Sequence, residues 1–321
     1  MLILLASTGF TFAVLVVVFR PLELVFPAKP GQRFFRPGFV TDLCFFLGRH
    51  LFWAGIVFWL LLQVRGWVFA IVPPDFHEAV AGQPWWLQAV EAVFLSDLFM
   101  YWGHRLQHRV PFLWRFHAVH HSSQHMDWLA GHREHPLDSI YTMTLINLPP
   151  MVLGFPLQTI ASFLLLRGVW AAYIHSNVRL PIGPLRWFLG APELHHWHHY
   201  RDRDVGNYCN LSPLMDIMFG TYHCPDHEPE RFGIKEPTPR TYWGYMIQSL
   251  LPRSWWGGMT RQSAAIDMGM SVKWNDNDDN VTATTELTGS SPLLLQPEDI
   301  YANGVASQGP ESRSAPCSTA V

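Results

Sequence analysis

The sequence predicts an all-α integral membrane protein with four to five membrane helices, a helical cap on the cytosolic side and a disordered C-terminal tail. Three observations carry that expectation. Only 15% of the 321 residues are charged and 49% are hydrophobic, whereas soluble domains carry about a quarter charged residues. Four long stretches are nearly free of charge, and about 20 apolar residues suffice to span a bilayer as a helix. Histidines crowd at helical spacing just beyond the ends of those stretches.

Residues 1–19 contain no charged side chain and lack the basic start and small-residue cleavage site of a signal peptide, so they read as a first span. Residues 51–72 form a second, interrupted only by Arg65, and residues 85–102 a third that carries Glu91 and Asp97. The longest run, 140–174, holds one charge, Arg167, and exceeds one straight helix; Pro149 and Pro150 predict a break there into a two-helix hairpin. That makes five hydrophobic segments, four of them fully spanning. The loop 20–41 carries Arg20, Lys29, Arg33 and Arg36, against Arg65, Asp75 and Glu78 in 65–84. The positive-inside rule then places the first loop in the cytosol. Both histidine-rich regions follow on that same face.

The cysteines at 44, 209, 224 and 317 show neither CxxC spacing nor a disulfide framework. A net charge of −3 says nothing about nucleic acid, and no basic stripe supports it, so no nucleic-acid partner is expected. From residue 257 the chain turns to Asn, Asp, Ser, Thr and Pro without periodicity, the composition of a disordered tail. The sequon at Asn210 would face the cytosol, where it is not glycosylated.

Thirteen of the 17 histidines fall within 104–135 and 175–199. His104 and His108 are spaced i, i+4; His117, His120 and His121 are i, i+3, i+4, and His195, His198 and His199 repeat that pattern. Residues three and four apart share a helix face, so each group presents its imidazoles in one direction. One pair alone is weak evidence. Three such groups beside lipid would be poorly hydrated and partly charged unless something coordinates them, which points to metal. Eight histidines exceed one four-coordinate site and suit two metals. Imidazole fits Zn, Cu, Fe or Ni; oxygen activation next to a hydrocarbon phase argues for iron. His175 ends the long apolar run, where an isolated imidazole is costly without a partner, and is a further candidate ligand. Asp97 lies on one helix stripe with Tyr101, His104 and His108, placed to accept a ligand's second N–H. His196 points away from the ligand face toward substrate or solvent, and His125 and His132 read as loop residues or supports behind the ligands.

"DLFMYWGHRLQHR", "LWRFHAVHHSS", "REHPLD", "HSN" and "PELHHWHHYRDRDVGNYCNLSPLMDIMFGTYH" together resemble the fatty acid hydroxylase/sterol desaturase superfamily over roughly 97–222. Its ordered pattern, HxxxH then two HxxHH, matches His104/His108, His117/His120/His121 and His195/His198/His199. His135 in "REHPLD" matches the family's histidine-proline element and becomes a candidate ligand; Asn207, Tyr208 and Asp216 match its closing element, with Cys209 where glycine is usual. The resemblance implies a cytosolic cap, two iron ions, molecular oxygen as oxidant and a lipid substrate. It divides the chain into N-terminal membrane helices (1–84), the hydroxylase/desaturase-like region (85–256) and the tail (257–321).

The expected activity is oxygen-dependent hydroxylation or desaturation of an unactivated C–H bond in a lipid. The chain shows no GxGxxG loop, so electrons are expected from a small redox protein of cytochrome or ferredoxin type with its reductase. Three other readings stay open at this stage. A membrane zinc hydrolase would need a base placed like that of HExxH, and "HREHP" has the wrong spacing. A metal transporter would hold its ligands at mid-membrane. A haem protein would need only one or two axial histidines per haem.

Overall fold

The computed structural model describes residues 2–252, Trp256 and the short stretches 271–272 and 283–284; throughout 2–252 the regular structure is helical. α1 (Leu2–Val25) is the first apolar run extended to 24 residues. The second begins at Phe39 rather than at residue 51, because α2 (Phe39–Gly48) continues into α3 (Ala54–Ile71) through a π-helical turn at Arg49–Trp53. A short α4 (Pro74–Ala81) leads into α5 (Trp85–Arg109), whose 25 residues carry the third run out to His104 and His108. α6 (Pro111–His121) starts on a proline at its first turn, where the missing N–H costs nothing.

The break in the long run is not at Pro149 and Pro150. Both lie inside α7 (Pro136–Val152), and the chain turns at Gly154, whose φ is +80°, before α8 (Leu157–His175) starts after Pro156. The proline pair is tolerated because a neighbour satisfies the carbonyl it frees. Pro150 cannot donate to Ile146, and the Ser96 hydroxyl on α5 donates to that oxygen instead at 2.9 Å.

By length and composition, three helical stretches among the described residues could cross a membrane: α1, the α2–α3 rod (Phe39–Ile71) and α8. Their outer faces leave large apolar side chains exposed, among them Phe10, Phe58, Trp67 and Leu165. α5 and α7 pack against each other, and α7 packs on α3. A core of Leu61, Val68, Met151, Phe155 and Ile160 closes the end of the bundle away from the histidines. At the other end Phe19, Phe46, Trp128, Leu129 and Ala172 form a second core that ties α1, α2 and α8 to the segment after α6. Short helices complete the cap: α9 (Pro192–His198), α10 (Leu214–Met218) and α11 (Tyr242–Gln248).

Arg36 is not a free surface cation. Its guanidinium is buried, gripping both Asp127 oxygens at 2.6 Å and Asp42 at 2.7 Å, and Asp42 also takes Arg133 Nε at 2.5 Å. This network pins the segment after α6 to the start of α2. The chain divides into two compact units, Met1–Arg253 and Ser254–Val321. The expected disordered tail, 257–321, lies outside the described residues, except that β1 (Ser271–Val272) pairs antiparallel with β2 (Ala283–Thr284).

α5 and α7 come together at Gly103: a Cβ there would meet the Leu145 side chain and the Tyr141 hydroxyl. Overpacking such a contact costs about 1–3 kcal/mol. Gly103→Val is therefore expected to lower the melting temperature of the detergent-solubilised chain, while Gly66→Ala, with no atom within 4 Å of its Cβ, leaves it unchanged or slightly higher.

Candidate metal centre

Nine buried or half-buried histidines converge in two groups whose ring nitrogens lie within 4.8 Å of one another: His104, His108, His117, His121 and His198, and His120, His175, His195 and His199. Four stretches supply them. α5 brings His104 and His108, α6 brings His117, His120 and His121, α8 ends on His175, and α9 with its C-cap brings His195, His198 and His199. The triplets do not each present one face, as their spacing predicted. Each divides two to one: His117 and His121 join one group and His120 the other, while His195 and His199 join the second and His198 crosses to the first. The two groups abut, with the His121 and His199 rings stacked at 4.2 Å.

The tautomers follow from partners that can only accept. Nδ1 of His104 lies 2.7 Å from the Tyr208 carbonyl, that of His120 3.2 Å from Arg133 O, that of His175 2.7 Å from Ala171 O and that of His198 2.8 Å from Gly206 O. His117 Nδ1 donates to Asp138 at 3.0 Å. In all five rings the proton sits on Nδ1, which leaves Nε2 with an exposed lone pair. Yet those lone pairs face one another. Nε2 of His104 is 3.0 Å from Nε2 of His117, and Nε2 of His120 is 3.0 Å from Nε2 of His175. Neutral rings have no proton to place there, so each contact is repulsive unless a cation lies between.

Protonation is not the remedy. Burial, reinforced by neighbouring imidazoles, holds His117, His121, His195, His198 and His199 well below the usual histidine range, and burial pushes His120 down to about 3. A metal fits. Metal–imidazole bonds of about 2.1 Å at right or tetrahedral angles set neighbouring nitrogens about 3.0–3.4 Å apart, and the observed separations run from 2.9 to 3.1 Å. Nε2 of His198 and of His108 have no hydrogen-bond partner among the described residues. Both belong to the first group and are free to ligate.

Two sequence expectations are corrected. His135 belongs to neither group. It is the N-cap of α7, its Nδ1 accepting from Leu137 N at 3.2 Å, and its ring packs on Phe116; the proline after it dictates a helix start, not a ligand position. Asp97 does not touch a histidine nitrogen: its carboxylate takes Arg167 of α8 at 2.5 Å. The carboxylate that orients a ligand is Asp138, which the sequence reading passed over; its other oxygen accepts from Gln107 at 2.5 Å. The signal was present, since Asp138 closes the "REHPLD" motif. His196 belongs to neither histidine group, as expected, but is shielded from solvent. It is buried, 2.6 Å from Glu228 and 3.1 Å from Ser176 O.

The closing element works through its backbone. Asn207 adopts φ +56°, its backbone N–H donates to Thr221 O, and its side-chain Nδ2 donates to Leu194 O and His223 O. Asp216 accepts from the Tyr208 and Cys209 amides at 2.8 and 2.9 Å, which fixes the Tyr208 carbonyl that takes the His104 proton. A cavity of about 430 Å³ opens from His104, His117, His120, His175 and His195 and runs between α3, α5, α7 and α8 along Leu61, Ile146 and Leu164.

Residues 89–221 match the family model for fatty acid hydroxylases. Curated relatives include the ornithine lipid hydroxylase of Rhizobium tropici, 34% identical over 148 residues (44% of this chain and 44% of the relative). Human alkylglycerol monooxygenase is 32% identical over 157 residues (48% and 34%), and an Arabidopsis thaliana protein named as a Delta(7)-sterol-C5(6)-desaturase is 33% identical over 146 residues (44% and 50%). The chain thus spans between about a third and a half of the length of these relatives. No solved structure matches it. The resemblance drawn from the histidine motifs is to this superfamily, and these relatives all fall within it.

Two outcomes follow for the site. Removing the carboxylate behind His117, in Asp138→Ala, should weaken metal retention about 10- to 100-fold in chelator competition, whereas Asp97→Asn leaves the ligand nitrogens untouched and lowers it far less. Histidines whose folded pKa is depressed bind fewer protons folded than unfolded, so stability rises with pH across the interval between the two values. The metal-free chain should therefore lose melting temperature as pH falls below the ordinary 6.5 toward about 3, where His120 titrates. Melts of chelator-treated protein across that range check the sign.

Proposed function

We propose that this chain, whose residues 89–221 carry the fatty acid hydroxylase pattern, is a membrane-bound, oxygen-dependent di-iron oxidoreductase that hydroxylates or desaturates an unactivated C–H bond of a lipid. The observation that carries the reading is the opening of both histidine groups onto one apolar cavity. Two irons held there would supply activation of molecular oxygen and removal of hydrogen from carbon, with electrons from a small cytochrome- or ferredoxin-type protein and its reductase. The chain's own residues do the rest. His104, His108, His117, His121 and His198 hold one ion, and His120, His175, His195 and His199 the other. The carbonyls of Tyr208, Arg133, Ala171 and Gly206, with Asp138, keep each Nδ1 proton in place so that Nε2 always faces inward.

The cavity walls orient the lipid. Val57, Leu61, Met143, Ile146 and Leu164 match a hydrocarbon chain or ring system and keep bulk water from the site. Near the histidines, Glu134 accepts from Arg49 at 2.9 Å and from Ser139 at 2.5 Å, a polar rim at the half-exposed side of the cavity. In the arrangement proposed, α1, the α2–α3 rod, α5, α7 and α8 lie within the bilayer and the cap with both histidine groups faces the cytosol.

Metal analysis of the purified chain tests the assignment. About two irons per chain with oxygen uptake are expected; one zinc per chain or a haem absorption band would sink it. His120→Ala and His198→Ala, one from each group, should each abolish turnover and lose at least one iron. Lipid mass spectrometry of cells with and without the gene should reveal a product heavier by about 16 mass units for an added oxygen, or lighter by about 2 for a new double bond.

A further inference from the structure

The cavity below the histidines is walled by apolar side chains, but three polar residues interrupt it beyond the metal ligands and the rim: Thr142 on α7, Arg167 on α8 and Asn210 in the loop before α10, of which the last two carry buried atoms with no hydrogen-bond partner among the described residues. Arg167 is 7% exposed. One terminal nitrogen donates to Asp97, and its guanidinium lies over the Phe163 ring, yet its Nε has no hydrogen-bond partner among the described residues. Asn210 is held by its backbone, whose carbonyl accepts from Trp170 Nε1 at 3.1 Å; its side-chain Oδ1 is shielded from solvent and also lacks a partner. A buried polar atom left without a partner is costly, so two on one cavity wall mark a place where something else completes the bonding.

We propose that Arg167 and Asn210 form a subsite for a neutral hydroxyl or amide group of the lipid, and that this group sets which carbon lies against the histidines. The inference rests on the oxidoreductase reading above and names its substrate class. The chemistry of the pair selects the ligand. Arg167 offers an N–H and Asn210 offers a carbonyl oxygen, so the complement is a group that both accepts and donates. A hydroxyl does so through one atom, an amide through two. A carboxylate or phosphate does not fit, because Asp97 already neutralises Arg167 and a further anion would sit beside that carboxylate in a medium of low dielectric. A bare hydrocarbon would leave both atoms unsatisfied, and sites built to hydrogen-bond a group discriminate strongly against analogues that lack it.

Two helices measure the separation independently. Arg167 lies eight residues before His175 on α8, and Asp97, its partner, lies seven before His104 on α5. At a rise of about 1.5 Å per residue these place the subsite about 10–12 Å from the histidines. The carbon oxidised is therefore about eight to ten bonds from the hydroxyl or amide along an extended chain, at about 1.25 Å per bond.

Binding, read without turnover, tests this. The full chain in detergent is loaded with radiolabelled octadecan-1-ol, which is then displaced with unlabelled octadecan-1-ol, octadecane or stearate. Octadecan-1-ol should compete about tenfold or more better than either, the discrimination expected from about one satisfied hydrogen-bond pair. Asn210→Leu leaves the Asp97–Arg167 pair intact and should erase most of that preference. The double variant Asp97→Asn/Arg167→Gln, which removes the pair without stranding one charge, should do the same. Both variants should keep the wild-type metal content, which reports that the fold and histidine groups survive. Octadecane or stearate competing as well as the alcohol, or either variant keeping the preference with full metal content, overturns the subsite. A chain that shows the preference but takes up no oxygen would instead refute the oxidoreductase reading and leave the subsite standing.

Discussion

The structure is organised around one electrostatic conflict: imidazole lone pairs directed at each other across about 3 Å in a buried site. Burial keeps the rings neutral, so protons do not relieve it. The carbonyls and Asp138 behind them keep Nδ1 protonated, so a tautomer change does not relieve it either. Such a cluster is tolerable only around cations, and in their absence the site would have to open. The helices, their caps and the closing loop are then the means by which one chain holds nine such groups in place.

The motifs made the histidine cluster legible, but not its partition into two groups. Successive residues on a helix are about 100° apart, so a ligand at i and one at i+4 are about 40° apart, whereas adjacent histidines diverge by about 100°. His120 and His121 therefore cannot aim at one point, and the same holds for His198 and His199. "Shared face" was too coarse a reading of HxxHH; the angular arithmetic already implied two centres served by each triplet. His175 was legible for a different reason, an imidazole stranded at the end of an apolar run. What the sequence did not reveal lies in pairings distant along the chain. Asp97 sits on the histidine stripe of α5 but is claimed by Arg167, and no local pattern announces a partner on another helix. His135 illustrates the converse: Pro136 makes it a helix cap, and the local rule outweighed the motif match.

Membrane architecture was least legible where function is concentrated. α1 and the α2–α3 rod leave much of their apolar surface exposed and stand out by hydropathy. α5 carries Glu91, Asp97, His104, Arg105 and His108 because one of its faces builds the site, and that dilutes the very signal used to find it. The proline pair in α7 misled in the same way. Ser96 on α5 supplies the donor that the helix lacks, so the break moves to Gly154. A single-chain reading assigns breaks by residue type, but neighbours decide whether the backbone needs one.

The buried ion network extends the argument from ligands to loops. Arg36, Asp42, Asp127 and Arg133 join segments 91 residues apart in a place where salt bridges gain little stability over a well-packed apolar core. Their value is positional. Arg133 is held by Asp42 through its side chain while its main-chain carbonyl accepts from His120 Nδ1, and Asp127, clamped by Arg36, accepts from the Ala130 amide three residues later. The 127–133 segment is thereby fixed at both ends relative to α2. Gly131 between them allows close approach, since a Cβ there would meet the His175 ring at 2.9 Å. One charged cluster thus sets the hydrogen bond of one ligand and the packing limit of another, both in the second histidine group. The basic loop thus contributes Arg36 to the scaffold behind the second histidine group.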